Sequence, residues 1–140
     1  MSHAAAQIMD WFKVGLTGVA GLPDAVLGMP KQIPPDTNKT VVSLESETIE
    51  NPSVLASNAL QPRTLVVVVS LLSRTYDSLH VLCVLAEEAI ATHSGFPGER
   101  FELVTRTYEE YKETDRDYIT AVMNYSVQYL TVAGDVETFT

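Results

Sequence analysis

The chain holds one cysteine, Cys83, in 140 residues. No disulfide can close within it, a usage that fits a reducing compartment. Basic residues are scarce, 9 against 18 acidic, for a net charge of −9. Such a surface repels phosphate backbones, which excludes stable nucleic-acid binding as a main function. It is compatible with a surface that DNA slides past without sticking. Long apolar runs are also missing. The longest, residues 65–72, falls far short of the ~20 residues a membrane-spanning helix needs. The first residues lack a basic region and reach Asp10 early, so no secretory signal is expected. The glycosylation-like triplets at Asn38 and Asn124 are then read as chance. No internal repeat or low-complexity segment is present.

The residues that carry chemistry are equally sparse. The histidines are His3, His80 and His93. His80 and Cys83 stand three apart on a predicted helix, but a zinc site needs more ligands than that pair. The expected arrangement is a core cysteine beside a solvated histidine, with no metal. Carboxylates are plentiful: Glu45, Glu47 and Glu50, then Glu87 and Glu88, then Glu109, Glu110, Glu113, Asp115 and Asp117. They lie in exposed-looking runs, whereas acid–base catalysis needs two carboxyls in unlike environments. Gly15, Gly18 and Gly21 superficially suggest a phosphate loop. They follow a helix rather than a strand, and no Lys-Ser/Thr pair comes after them. No nucleophile elbow or dinucleotide fingerprint occurs. The expectation is a protein that is not an enzyme and carries no cofactor.

What is there is the makings of one domain over residues 1–140, a size that can fold without metal or disulfide. A first helix is predicted over residues 4–14, with Ser2 as N-cap and a stripe of Ala5, Ile8, Met9, Phe12 and Leu16 at helical spacing. Residues 15–39, with Pro23, Pro30, Pro34 and Pro35, read as an ordered irregular connection. Leu22, Val26, Leu27 and Met29 are expected to form one helical turn in it. Residues 40–45 read as a strand and residues 45–62 as a long loop. Residues 64–73, with four consecutive valines, read as a central strand because both faces are apolar. A second helix is predicted over residues 76–92, started by Thr75 or Asp77 and closed by a left-handed Gly95.

The last third alternates as a long hairpin. Phe101, Leu103, Thr105, Thr107, Glu109 and Tyr111 make one set on its first strand. Ile119, Ala121, Met123, Tyr125, Val127 and Tyr129 make the buried set on its second. The charged tip between them should project beyond the sheet, and residues 133–140 should fray. The fold class is therefore α+β: a four-stranded, mainly antiparallel sheet in the order α-β-β-α-β-β, with helices packed on one face.

Three segments carry a family resemblance: residues 63–69, the helix through Ala86-Glu87-Glu88-Ala89-Ile90, and Met123-Asn124-Tyr125-Ser126-Val127-Gln128-Tyr129. Together they resemble the tail terminator proteins of long-tailed bacteriophages, the U-type minor tail or tail completion proteins. The likeness covers most of the chain and is weaker over residues 15–35. It implies a structural virion protein, made in the bacterial host cytoplasm and placed at the head-proximal end of the tail. Such a protein forms a homo-oligomeric ring, usually a hexamer, on the major tail tube protein. It stops tube growth and offers a joining surface to the head–tail connector protein, with DNA passing through its bore and no membrane involved. The expected assembly interface is the hairpin tip, Glu109, Lys112, Asp115, Arg116 and Asp117, with the loop of residues 47–58 as second choice. The alternatives are a head completion or connector adaptor protein of the phage neck, or a small-molecule-binding regulatory domain.

Overall fold

The structure, a computed structural model, describes residues 4–28, 38–49, 60–113, 116–132 and 135–139. Along the chain it runs α1 (Ala4–Gly15), β1 (Ala25–Leu27), β2 (Lys39–Ile49), β3 (Leu60–Ser73), α2 (Tyr76–Thr92), β4 (Arg100–Glu113), β5 (Arg116–Val132) and β6 (Asp135–Phe139).

The valine-rich segment becomes the central strand because both its ladders are occupied. β3 pairs antiparallel with β2 on one side and with β5 on the other. β4 follows β5, which gives the order β1-β2-β3-β5-β4. Two features depart from the antiparallel four-strand expectation. Ala25–Leu27 is a short strand, not a helical turn, and it runs parallel to β2. Asp135–Phe139, where fraying is expected, forms β6 and pairs with Thr131 and Val132 of β5. Since β3 occupies the other side of β5, β6 takes the side that β4 leaves beyond Arg100. The α+β class holds, with a mixed sheet in the order α-β-β-β-α-β-β-β. Both helices pack on one face.

That face is chosen by alternation. Leu65, Val67, Val69 and Leu71 of β3 sit opposite Val127, Tyr125, Met123 and Ala121 of β5, and all eight are buried. Against them α1 places Ala4, Ala5, Ile8, Trp11, Phe12 and Leu16, and α2 places Leu79, Leu82, Cys83, Ala86 and Ile90. Of the stripe read from the sequence, Ala5, Ile8, Phe12 and Leu16 are buried and Met9 is half-buried, while Ala4 and Trp11 are buried in addition. Trp11 stacks on His93 at 4.7 Å and meets Phe96 and Phe101 at 5.0 and 5.2 Å. Its indole N–H donates to the Ser94 carbonyl at 2.9 Å, which locks α1 to the exit of α2. Gly15 permits this approach: a Cβ there would stand 2.8 Å from the His93 ring.

α2 spans the residues its periodicity predicts. Thr75 caps it by accepting from the Ser78 N–H, which satisfies one of the orphan donors of the first turn. At the other end His93 is the cap residue. Gly95 does adopt positive φ, at 78°, but two residues further on. Ser2, Met29, Pro30, Pro34 and Pro35 lie outside the described residues.

The hairpin is long, as its alternation implies. β3 ends at Ser73 opposite Ile119, so β5 continues three residues beyond it, about 10 Å at ~3.3 Å per residue. β5 buries the set read from the sequence, from Ile119 to Tyr129. β4 does not keep its alternation. Leu103 faces Tyr125 and Thr105 faces Asn124, so Val104 is an extra residue in a β-bulge. Past it the helix-side positions become Arg106, Tyr108 and Glu110, and Thr105, Thr107 and Glu109 turn to the other face.

Phe12 is fully buried and its ring meets those of Trp11, Phe101 and Tyr125 at 5.2, 5.9 and 5.2 Å. Phe12→Ala should lower stability by about 3–5 kcal/mol, the range for a core phenylalanine. Val104→Ala, at an exposed bulge, should change it by no more than about 0.5 kcal/mol. Urea unfolding of the two variants checks both.

Candidate functional site

Of the predicted interface, Glu109 is exposed and stands opposite Thr120. The backbone register sets Lys112 opposite Asp117 and Glu113 opposite Arg116. Asp115 lies outside the described residues. The four described tip positions therefore gather at one end of the sheet. In the second-choice segment, Glu47, Thr48 and Ile49 belong to β2. The rest, residues 50–58, is outside the described residues.

The sheet offers two surfaces that the sequence pattern does not announce. β1 covers only Thr40 to Val42 of β2, so among the described residues Ser43 to Ile49 form an open edge. β4 pairs with β5 alone and forms the second open edge at the opposite side. Each carries a bulge. In β2 the extra residue is Glu45, between Leu44 and Ser46, and in β4 it is Val104. Bulges and charges are the usual means of preventing indiscriminate edge pairing. Apolar side chains remain beside both bulges: Leu44 is 42% exposed and Val104 58%.

Two residues past each bulge an ion pair reaches across the helix face. On β2, Glu47 accepts from the buried Arg63 guanidinium at 3.4 Å and from the Tyr129 hydroxyl. Burial raises the Tyr129 phenol well above its ordinary value, and the hydrogen bond to Glu47 adds to this. On β4, Arg106 donates to Glu87 of α2 at 2.8 Å. Burial works against the Arg106 charge, but the bonds to Glu87 and Tyr108 outweigh it and raise its pKa. Beneath this pair lies Cys83, whose thiol is pushed up mainly by burial. Burial likewise raises the Tyr125 phenol, with the Glu87 charge adding to it.

A third cluster lies where α2 begins. Tyr76 and His80, one turn apart, meet Tyr108 of β4. The Tyr76 hydroxyl donates to Glu110 at 2.8 Å. No sequence signal links residues so far apart; only the bulge at Val104 brings Tyr108 and Glu110 to the helix side.

Two depressions lie among the described residues. One, about 160 Å³, lies between Pro62, Thr64, Glu99, Gln128 and Leu130. The other, about 440 Å³ and open, runs between Gly15, Val19, Leu85 and His93. Among the described residues no three His, Cys, Asp or Glu side chains converge as a metal site. Nor is any helix long and apolar enough to cross a membrane. The molecule so described is an α+β protein whose mixed sheet carries helices on one face and has two unlike open edges. No family model and no curated protein matches the chain.

Tyr125 and Tyr129 have phenols raised from 10.0. Their contribution to stability is fully present below about pH 10, where an unfolded tyrosine keeps its proton. It is lost as pH rises through the higher folded values. Stability should therefore hold through neutral pH and fall steadily above about pH 10. Tyr129→Phe should lower stability at pH 8 by about 1.5–3 kcal/mol, the range for a bond to a charged group, and should flatten the alkaline fall. Urea unfolding at pH 8 and pH 11 measures both effects.

Proposed function

We propose that this protein is a structural subunit of a long-tailed phage virion. It closes a ring on the head-proximal end of the tail tube, ends tube growth and presents a joining surface to the head. The reading rests on the resemblance of three segments to tail terminators, and one observation carries its mechanism: the two open edges of one sheet are unlike and lie on opposite sides. When the β4 edge of one subunit meets the β2 edge of the next, the contact is head-to-tail. Repeated, it closes into a ring if its rotation divides the circle. Closure pairs the open stretches of β2 and β4 in every subunit, which removes them as sites for further strand addition.

A ring meets the tube end through the same contact repeated around its circumference, so individually weak contacts add to firm attachment. Its opposite face differs from that of a tube subunit, and growth stops by mismatch with no energy source. The charge of −9 suits a bore through which DNA passes without adhering. Six subunits, the tail tube protein and the connector as partners, and the virion tail as location belong to this same proposal.

Leu44→Lys and Val104→Lys place a charge at the exposed bulge of each edge. Each should leave the fold intact, since exposed substitutions change stability by about 0.5 kcal/mol or less, and should shift the protein from rings to monomers. Sedimentation and electron microscopy of the purified protein read this directly. The double reversal Lys112→Glu and Arg116→Glu should impair ring formation or head joining without unfolding. Rings and infectious particles formed normally by all these variants would end the proposal.

A further inference from the structure

We infer that Tyr76, His80, Tyr108 and Glu110 form a seat for a lysine or arginine side chain presented by a protein partner. The three rings form a near-equilateral triangle, with centroids 6.2 Å apart for Tyr76 and His80, 5.7 Å for His80 and Tyr108, and 6.4 Å for Tyr76 and Tyr108. The rings are too close for a guest between them. A cation resting on the open side of the triangle comes within the ~6 Å at which ring faces attract positive charge. The rings are accessible: Tyr76 is 42% exposed, Tyr108 40%, and His80 is exposed as well.

The carboxylate fixes the sign of the guest. Glu110 is exposed and accepts from the Tyr76 hydroxyl at 2.8 Å. A carboxylate has acceptor sites beyond the one so used. Asp77 stands exposed beside Tyr76. Arg106, bonded to Tyr108, has its charge matched by Glu87 at 2.8 Å. Negative ring faces and two exposed carboxylates, Asp77 and Glu110, at one spot repel an anionic partner and attract a cationic one.

The openness of the seat fixes the kind of guest. A free quaternary ammonium would bury little of itself on so shallow a surface, and small ligands need enclosure to bind well. A basic side chain carried on a larger interface gains the rest of its affinity elsewhere. Tyrosine is among the residues on which such interfaces concentrate their energy. Tyr108 and Glu110 belong to β4 but lie on its helix side, whereas ring closure is proposed through the outward backbone edge of that strand.

Titrating the full chain with acetyl-arginine methylamide, and with its neutral citrulline counterpart, tests the inference by aromatic-ring NMR at pH 8. The arginine probe should shift the Tyr76, His80 and Tyr108 ring signals saturably. The citrulline probe should bind about two- to fivefold more weakly, the factor expected from losing one exposed cation–ring contact. Tyr76→Leu and Tyr108→Leu should abolish the shifts. Glu110→Gln, which leaves every ring in place, should weaken arginine binding while leaving citrulline binding unchanged. Equal binding of the two probes overturns the inference, as does an unaltered arginine response in Glu110→Gln. Ring formation, followed separately by sedimentation, is expected to be the same with and without the probe.

Discussion

The pairing of β3 with β5 governs the rest of the molecule. It runs from Leu60 opposite Val132 to Ser73 opposite Ile119 with no shift of register. Its helix side is Leu65, Val67, Val69 and Leu71 against Val127, Tyr125, Met123 and Ala121. A slip of one residue would turn these outward and bring Thr64, Val66, Asn124 and Ser126 under the helices. Phe12 meets the sheet at Tyr125, so α1 has a seat only in this register. The flanking strands take their places from the same ladder. β2 and β4 can each hold a bulge because only one of their sides is paired there. A bulge in β3 would break two ladders at once.

Those bulges decide which chemistry meets the helices. Without Val104 as an extra residue, the helix side of β4 would continue through Thr105, Thr107 and Glu109. With it, that side carries Arg106, Tyr108 and Glu110. The Arg106–Glu87 pair and the aromatic triangle both follow from one inserted residue. Its own side chain is left exposed at the edge, so the device that rearranges the inside also shapes the outside.

Much of this was legible in the sequence, and the rest fails for definite reasons. The bounds of α2 and the whole inward set of β5 follow from strict periodicity, because each is buried on one face along its length. The strict alternation read along β4 keeps to one face only as far as Leu103. A single inserted residue reverses parity without leaving a compositional trace. β1 is three residues between glycine and proline signals, and its parallel partner is a non-local fact. β6 is short and mixed in polarity, so pairing rather than propensity makes it a strand. The hairpin tip is visible as a run of charge, but only the register shows which of its described members stand opposite one another. The triangle of Tyr76, His80 and Tyr108 joins two elements some thirty residues apart, which no spacing rule reaches.

The ion pairs that follow the bulges show what the edges require. Partly buried charges are a poor means of gaining stability, since well-packed apolar groups often do as well or better. Here they sit where apolar burial gives out. Leu44 and Ile49 flank Glu47 and are exposed, so hydrophobic packing cannot tell the outer half of β2 which way to face. Glu47 can: it reaches Tyr129 and Arg63 only from the helix side. Arg106 does the same for β4, two residues past Val104, by reaching Glu87. Each edge is thus offset by a bulge and then locked again by a polar contact that tolerates one register. An edge held in this way presents a fixed and irregular outline. A second strand adds to it only if its own outline matches, which is the condition for choosing one partner and refusing the rest.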